Sequence, residues 1–146
     1  MSKENFSFFS EEIDFQLENS EIIADWIEQL ILNNQKITGE ITYIFCSDSY
    51  LLKMNQEHLN HDTLTDIITF DYSQAGIISG DIFISIDRIR DNSKDFKVNF
   101  EDELTRVMAH GILHLIGFND KSEKEQSIMT EEENKAIALY NSFKKA

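Results

Sequence analysis

The stretch from Phe100 to about Leu115 is apolar around most of a helical circumference, through Leu104, Val107, Met108, Ile112, Leu113 and Leu115. Such a helix is stable only when other elements cover it on several sides, so it predicts a central buried helix with a layered fold around it. Asn99, with Asp102 three positions later, offers a capping signature for its start, and Gly117 can end it in a left-handed conformation. Ser122 with Glu125 offers a second capping signature, for a C-terminal helix reaching towards Phe143.

The covering elements lie mostly upstream. Residues 6–9 suit a short strand, and Ser20 is placed to cap a helix carrying Ile22, Ile23, Trp26, Ile27, Leu30 and Ile31 at helical spacing. Gly39 reads as the break after it, and Glu40 to Cys46, rich in β-branched and aromatic residues, as a strand. Ser47 or Asp48 can then cap a short helix through Asn55, with a loop over 56–64. Two more strands are predicted, Thr65 to Asp71 and Asp81 to Ile86, joined through Gly76 and with Gly80 just before the second. A short helix within 87–98 completes an α+β pattern with no repeat, linker or proline, read as one domain over residues 1–146.

Composition is consistent with that fold. The chain of 146 residues is 41% hydrophobic with eleven Phe, enough for a continuous core, and 27% charged residues suit a soluble protein. Cys46 is the only cysteine, so neither an internal disulfide nor a thiolate metal site is available, which fits a reducing, cytoplasmic setting. The first residues, MSKENFSFFSEEIDF, have no basic head followed by an apolar stretch, and no segment approaches a membrane span. A formal charge of -14 opposes strong nonspecific binding to nucleic acid, so an RNA partner has to meet a local basic patch or be presented by a protein.

The chemistry sits on the central helix. His110 and His114 are four residues apart, so their imidazoles share a face and can hold one metal ion. Both lie in the apolar stretch MAHGILHLIGF, where two uncoordinated rings would each have to be desolvated and satisfied, a need that one metal meets jointly. Asp120 completes a His-x-x-x-His-x-x-Gly-x-x-Asp pattern, because a reversal at Gly117 can return it to the histidine face. Three protein ligands leave a fourth tetrahedral position for water, the layout of an open rather than a structural zinc site. The carboxylate brings negative charge, which partly offsets the Lewis acidity of the ion. One zinc ion per chain suits two imidazoles and a carboxylate, and the donor types also admit nickel, cobalt and manganese. Asn119 is either an outer partner of this site or a turn residue.

A zinc peptidase is the first chemical reading of such spacing. Gly111 opposes it, since peptidases of this pattern keep a glutamate general base after the first histidine. Met129 reads as core rather than as a methionine turn.

The sequence resembles the YbeY family of bacterial rRNA-maturation metalloproteins. HGILHLIGFND is similar to that family's His-Gly-x-Leu-His-Leu-x-Gly signature, which continues with an aromatic residue, Asp and a third His. TDIITF, from Thr65 to Phe70, is similar to its Thr-Asp-Val-Leu-Ser-Phe run. Gly80-Asp81-Ile82 resembles its Gly-Asp-Ile strand start, and Met129 with Glu133 its downstream Met and Glu.

The resemblance implies an α+β fold with a central mixed sheet and a zincin-like metal-binding helix at its core. It further implies one zinc ion on His110, His114 and Asp120, cytoplasmic residence, and single-strand-specific cleavage of precursor rRNA. That action belongs to 16S 3′-end maturation and ribosome quality control, with the ribosomal small subunit as partner and with neither DNA nor membrane.

Two departures accompany it. Asp120 and Asn119 stand where the family has histidine and aspartate, and no Arg or Lys occurs from Asn55 to Leu64, where the family commonly has an arginine suited to a phosphate. Lys53, His58 and His61 are the nearby substitutes. A noncatalytic ribosome-assembly factor whose metal stabilises the fold therefore stays open beside the nuclease. Asp66 and Asp81 read as strand-end caps or cleft residues, Glu131 to Glu133 as a solvated helix face, and Glu101 to Glu103 as partners of the helix dipole.

Overall fold

The computed structural model describes residues 5–59 and 65–145, apart from the side chains at 58 and 59. Strands β1 (Phe6–Glu11), β2 (Ile37–Cys46), β3 (Ile67–Asp71) and β4 (Ile77–Ser85) form one mixed sheet in the order β1-β2-β4-β3. The β1/β2 and β2/β4 pairs are parallel, and β3 lies antiparallel on the outer edge of β4. Five helices accompany them: α1 (Ser20–Asn33), α2 (Asp48–Leu59), α3 (Ile86–Asp95), α4 (Phe100–Ile116) and α5 (Glu123–Lys145).

Alternation along the strands sorts the two faces. Ile82 and Ile84 of β4 are fully buried in the main core with α1, α4 and α5, whereas Phe83 between them joins Leu51, Met54 and Ile68 beneath α2. Two polar groups that the core engulfs find backbone partners. Tyr43 donates its hydroxyl to the Met108 carbonyl of α4 at 3.0 Å, and Trp26 donates its indole N–H to the Ala136 carbonyl of α5 at 2.8 Å. The central helix predicted from its apolar circumference is thus buried as expected.

Its ends follow the predicted chemistry. Asn99 accepts the Asp102 amide at 2.8 Å, and Gly117 at φ 127° turns the chain out while its amide and that of Phe118 cap Leu113. Ser122 and Glu125 form the reciprocal capping box of α5, each side chain accepting the other's amide at 3.1 Å.

Other boundaries are corrected. Ser20 does not cap α1, because Asn19 precedes it in the left-handed region and no side-chain cap bond forms. Gly39 is no break: it lies inside β2 at a register shift, where an added Cβ would stand 2.1 Å from Ser79 Oγ, and the turn occurs at Gln35 instead. Ser47 rather than Asp48 caps α2, accepting the Tyr50 amide at 3.1 Å. That helix continues beyond Asn55 to Leu59, helped by a Lys53–Glu57 pair one turn apart. The remainder of the predicted 56–64 loop, residues 60–64, lies outside the described residues. Ser85, not a strand residue at 86, marks the switch from β4 to α3 and accepts the Arg88 amide.

Strand β4 starts at Ile77, so Gly80 is an interior residue. A Cβ there would meet the Phe70 carbonyl oxygen of β3 at 2.5 Å and Leu115 of α4 at 3.0 Å. Gly80→Ala is expected to lower stability by about 1–3 kcal/mol through overpacking, measured as a lower urea midpoint at unchanged slope.

Candidate metal centre and the adjoining pocket

The last two turns of α4 present His110 and His114 with their Nε2 atoms 3.0 Å apart. After the turn at Gly117 the chain brings Asp120 back, with Oδ2 3.4 Å from each of those nitrogens. The returning segment is tied to α5, because Glu125 Oε1 accepts the Lys121 amide as well as that of Ser122. Around a tetrahedral zinc with bonds of about 2.0–2.1 Å, donor atoms stand about 3.3–3.4 Å apart; the two separations to Asp120 match this, and the two imidazole nitrogens need to part by about 0.3 Å. Among the described residues this is the group of three His, Cys, Asp or Glu donors that gathers within 4.8 Å. All three side chains are partly exposed, at 22%, 28% and 39%, so the centre is open on one side.

Glu133 of α5, which the sequence offers both as a match to the family's downstream Glu and as part of a solvated acidic face, completes the arrangement. Its Oε2 lies 2.7 Å from His110 Nδ1, and its Oε1 accepts Arg106 Nη1 at 2.9 Å. Arg106 also donates Nη2 to Asn134 at 2.8 Å. With the ring proton held on Nδ1 by Glu133, His110 Nε2 keeps a free lone pair for a metal. The signal for Glu133 was its position: it follows buried Met129 by one turn and precedes buried Ala136 and Tyr140 on the same inward face. Burial works against ionisation of both partners. The mutual hydrogen bond and the charges of Arg106 and Asp120 outweigh it, raising the His110 pKa and lowering that of Glu133.

Gly111 faces the sheet rather than the centre. A Cβ there would meet the side chains of Ile67 at 2.9 Å and Ile82 at 3.0 Å, so glycine lets α4 approach β3 and β4 without displacing them. A side chain at this position would point into the sheet and away from the centre, so the base on which the peptidase alternative depends has no place here.

Beside His110 lies a cavity of about 350 Å³, walled by Asp66, Glu103, Arg106, Glu133 and the apolar Phe96 and Val98. Asp66, read as a cap or a cleft residue, is a wall residue of this cavity, and burial raises its carboxyl pKa. Asp81 is not: Ile82 faces α4, so its neighbour Asp81 points to the other side of the sheet, where it accepts the Tyr72 hydroxyl. Lys53 pairs with Glu57 at the surface, while His61 and the side chain of His58 lie outside the described residues. Asn119 is exposed. A larger cavity of about 580 Å³ lies at the opposite end of α4, near Phe100, where Glu101 is held by Tyr140 and Lys144.

Glu103 was read as a dipole partner but is only 6% exposed. Burial, reinforced by the Asp66 charge and opposed by Arg106, pushes its carboxyl up to about 6. A raised acid contributes stability below the ordinary carboxylate range near 4.5 and loses it as pH climbs through 6. Glu103→Gln is therefore expected to stabilise the fold by roughly 2 kcal/mol above that range and to be neutral below it. Thermal melts at about pH 4 and about pH 7.5 check the sign.

Comparison with known proteins agrees with this geometry. The family described as Endoribonuclease YbeY matches residues 5–141. A protein named Endoribonuclease YbeY from Flavobacterium johnsoniae is 52% identical over 133 residues, 91% of this chain and 96% of that protein. One of the same name from Christiangramia forsetii is 46% identical over 141 residues, 97% and 98% of the two chains. The solution structure of TM1509 from Thermotoga maritima superposes with a TM-score of 0.64 at 25% identity, covering 92% of this chain and 88% of that one.

Proposed function

Because this chain belongs to the YbeY endoribonuclease family, we propose that it is a zinc-dependent, single-strand-specific endoribonuclease acting in rRNA maturation, including the 16S 3′ end, and in ribosome quality control. The observation that carries the metal part is the gathering of His110, His114 and Asp120, whose donor atoms lie within reach of one ion. Zinc held there supplies Lewis-acid polarisation of a phosphoryl oxygen and a lowered pKa for water. The chain's own residues prepare the site. Glu133 keeps the proton on His110 Nδ1, Arg106 keeps Glu133 charged and in place, and the Gly117 turn holds Asp120 in range. Arg106 is the cation of the adjoining wall and is committed to Glu133 and Asn134, so phosphate charge is left to the metal centre.

The formal charge of -14 favours docking on the immature ribosomal small subunit over capture of free RNA, with cytoplasmic residence and one functional domain over 1–146. No helix among the described residues is long and apolar enough to cross a membrane. Cleavage of free RNA is accordingly expected to fall by less than about tenfold between 50 and 200 mM salt, in contrast to proteins with many phosphate contacts. A fall of about a thousandfold would show a basic RNA-binding surface instead.

The test is to incubate metal-loaded protein and its His114→Ala variant with single-stranded rRNA fragments and with an unfolded protein. Cutting of RNA by the parent alone is expected. Proteolysis would restore the peptidase reading, and ribosome binding without either activity would make the chain an assembly factor.

A further inference from the structure

The pocket beside His110 has features that metal binding does not use. Glu103, Arg106, Val107 and His110 recur at helical spacing along one face of α4, so the pocket floor runs directly into the metal centre. Glu103 lies about 10 Å from His110 along the axis, two helical turns. Arg106 spends its guanidinium on Glu133 and Asn134, whereas the Glu103 carboxylate, on a residue only 6% exposed, has no hydrogen-bond partner among the described residues. A carboxylate that lines the cavity and stays accessible from it is free to accept a donor from a ligand.

At the rim, Phe96 is 63% exposed and Val98 43% exposed. They sit on the link between α3 and α4, which is held by bonds from the Phe96 amide to Asn92 and from the Val98 amide to Ser93, with Lys97 in the left-handed region between them. The aromatic ring is therefore displayed by a hydrogen-bonded turn rather than left on a loose loop. The Asp66, Glu103 and Glu133 carboxylates do not bring three donor atoms within 4.8 Å of one another, which argues against a second cation there.

Resting on the ribonuclease reading, we propose that this pocket is a nucleobase subsite that takes a guanine of the single-stranded substrate, stacked on Phe96 and bonded by Glu103. Charge sets the orientation of the strand. Carboxylate walls repel phosphate, which is left at the metal centre, and attract the N–H groups of a base edge. Guanine presents two adjacent donors, N1–H and the 2-amino group, to the two oxygens of one carboxylate, whereas adenine and cytosine present an amino group beside an acceptor and uracil a single imino group. Phe96 supplies a face on which a splayed base stacks.

The experiment uses oligouridine strands carrying one guanine, inosine, adenine or uracil at a fixed position, with zinc-loaded protein. Binding is read by fluorescence anisotropy, and cleavage by kcat/KM and mapped cut sites. Inosine lacks only the 2-amino group, so guanine is expected to be preferred over it by about tenfold. Glu103→Gln should erase that ratio with zinc content unchanged, and Phe96→Ala should weaken all four strands alike by about tenfold. Four strands handled equally by the parent, or a ratio that survives in Glu103→Gln, would overturn the subsite. Unchanged RNA binding in Phe96→Ala would also overturn it and make the exposed rim a protein contact. RNA cut without base preference sinks the subsite alone, a guanine preference in binding without cutting sinks the nuclease reading alone, and no binding at all overturns both.

Discussion

His114→Ala is expected to abolish stoichiometric zinc and to lower RNA cleavage by at least about a thousandfold, well beyond the 10–100-fold typical of losing an outer partner of a metal ligand. The ring stands at the partly exposed end of α4, and its Nε2 meets His110 and Asp120 among the described residues, at the open centre. Its removal leaves the Leu113 and Leu115 contacts with the core intact, so the far-ultraviolet spectrum and cooperative melting should survive. Loss of activity with a folded, metal-poor protein separates a ligand from a structural residue. Full cleavage by the folded variant would contradict the site.

The second large effect is expected at Glu133. Glu133→Gln keeps the shape but removes the negative charge that His110 Nδ1 and Arg106 share. Zinc affinity should fall by about 10–100-fold, with Glu133→Asp, which keeps the charge on a shorter stem, losing less. The pH behaviour distinguishes this from simple unfolding. In the metal-free protein Glu133, held below its ordinary pKa of 4.5, contributes stability above that value and loses it as pH falls. His110, held above its ordinary 6.5, contributes stability below that value and loses it as pH rises. The pair therefore stabilises the metal-free fold most between about pH 4.5 and about pH 6.5, a window that should disappear in Glu133→Gln. Proton competition for His110 also eases in that variant, so its zinc-affinity deficit relative to the parent should narrow as pH falls. Isothermal titration at several pH values, with chelator-buffered zinc, measures both changes.

Much of this site was legible before any coordinates, and the reason is local. His110, His114, Gly117 and Asp120 lie within eleven residues of chain, and one helix and one glycine turn suffice to join them, so helical periodicity and the positive φ of Gly117 carry the inference. The caps of α4 and α5 were legible for the same reason, each being a contact three residues long. What local pattern could not supply was anything that depends on packing. Glu133 reaches His110 across 23 residues, and its acidic neighbours disguise it as surface. Glu103 looks like an ordinary first-turn acid until the placement of α4 buries it.

Glycines were ambiguous in the same way. Gly39 reads as a break and Gly80 as the residue before a strand, yet each lies inside a strand because a neighbouring strand comes too close for a Cβ. Gly111 had been noticed only for the glutamate that it replaces. The structure supplies a positive reason for it, the close approach of α4 to Ile67 and Ile82. That same approach sets the axis on which both histidines stand, so one residue removes the peptidase base and positions the metal helix.

The central claim is that RNA cleavage depends on one metal ion held by the His110, His114 and Asp120 side chains. It is tested most directly by stripping the protein with a chelator, returning zinc in sub-stoichiometric steps, and measuring cleavage of single-stranded rRNA at each step. Cleavage should rise from zero and reach a plateau at one zinc per chain in the parent, and should stay flat in His110→Ala across the same range. Undiminished cleavage by the stripped parent, or the same rise in His110→Ala, would contradict the account.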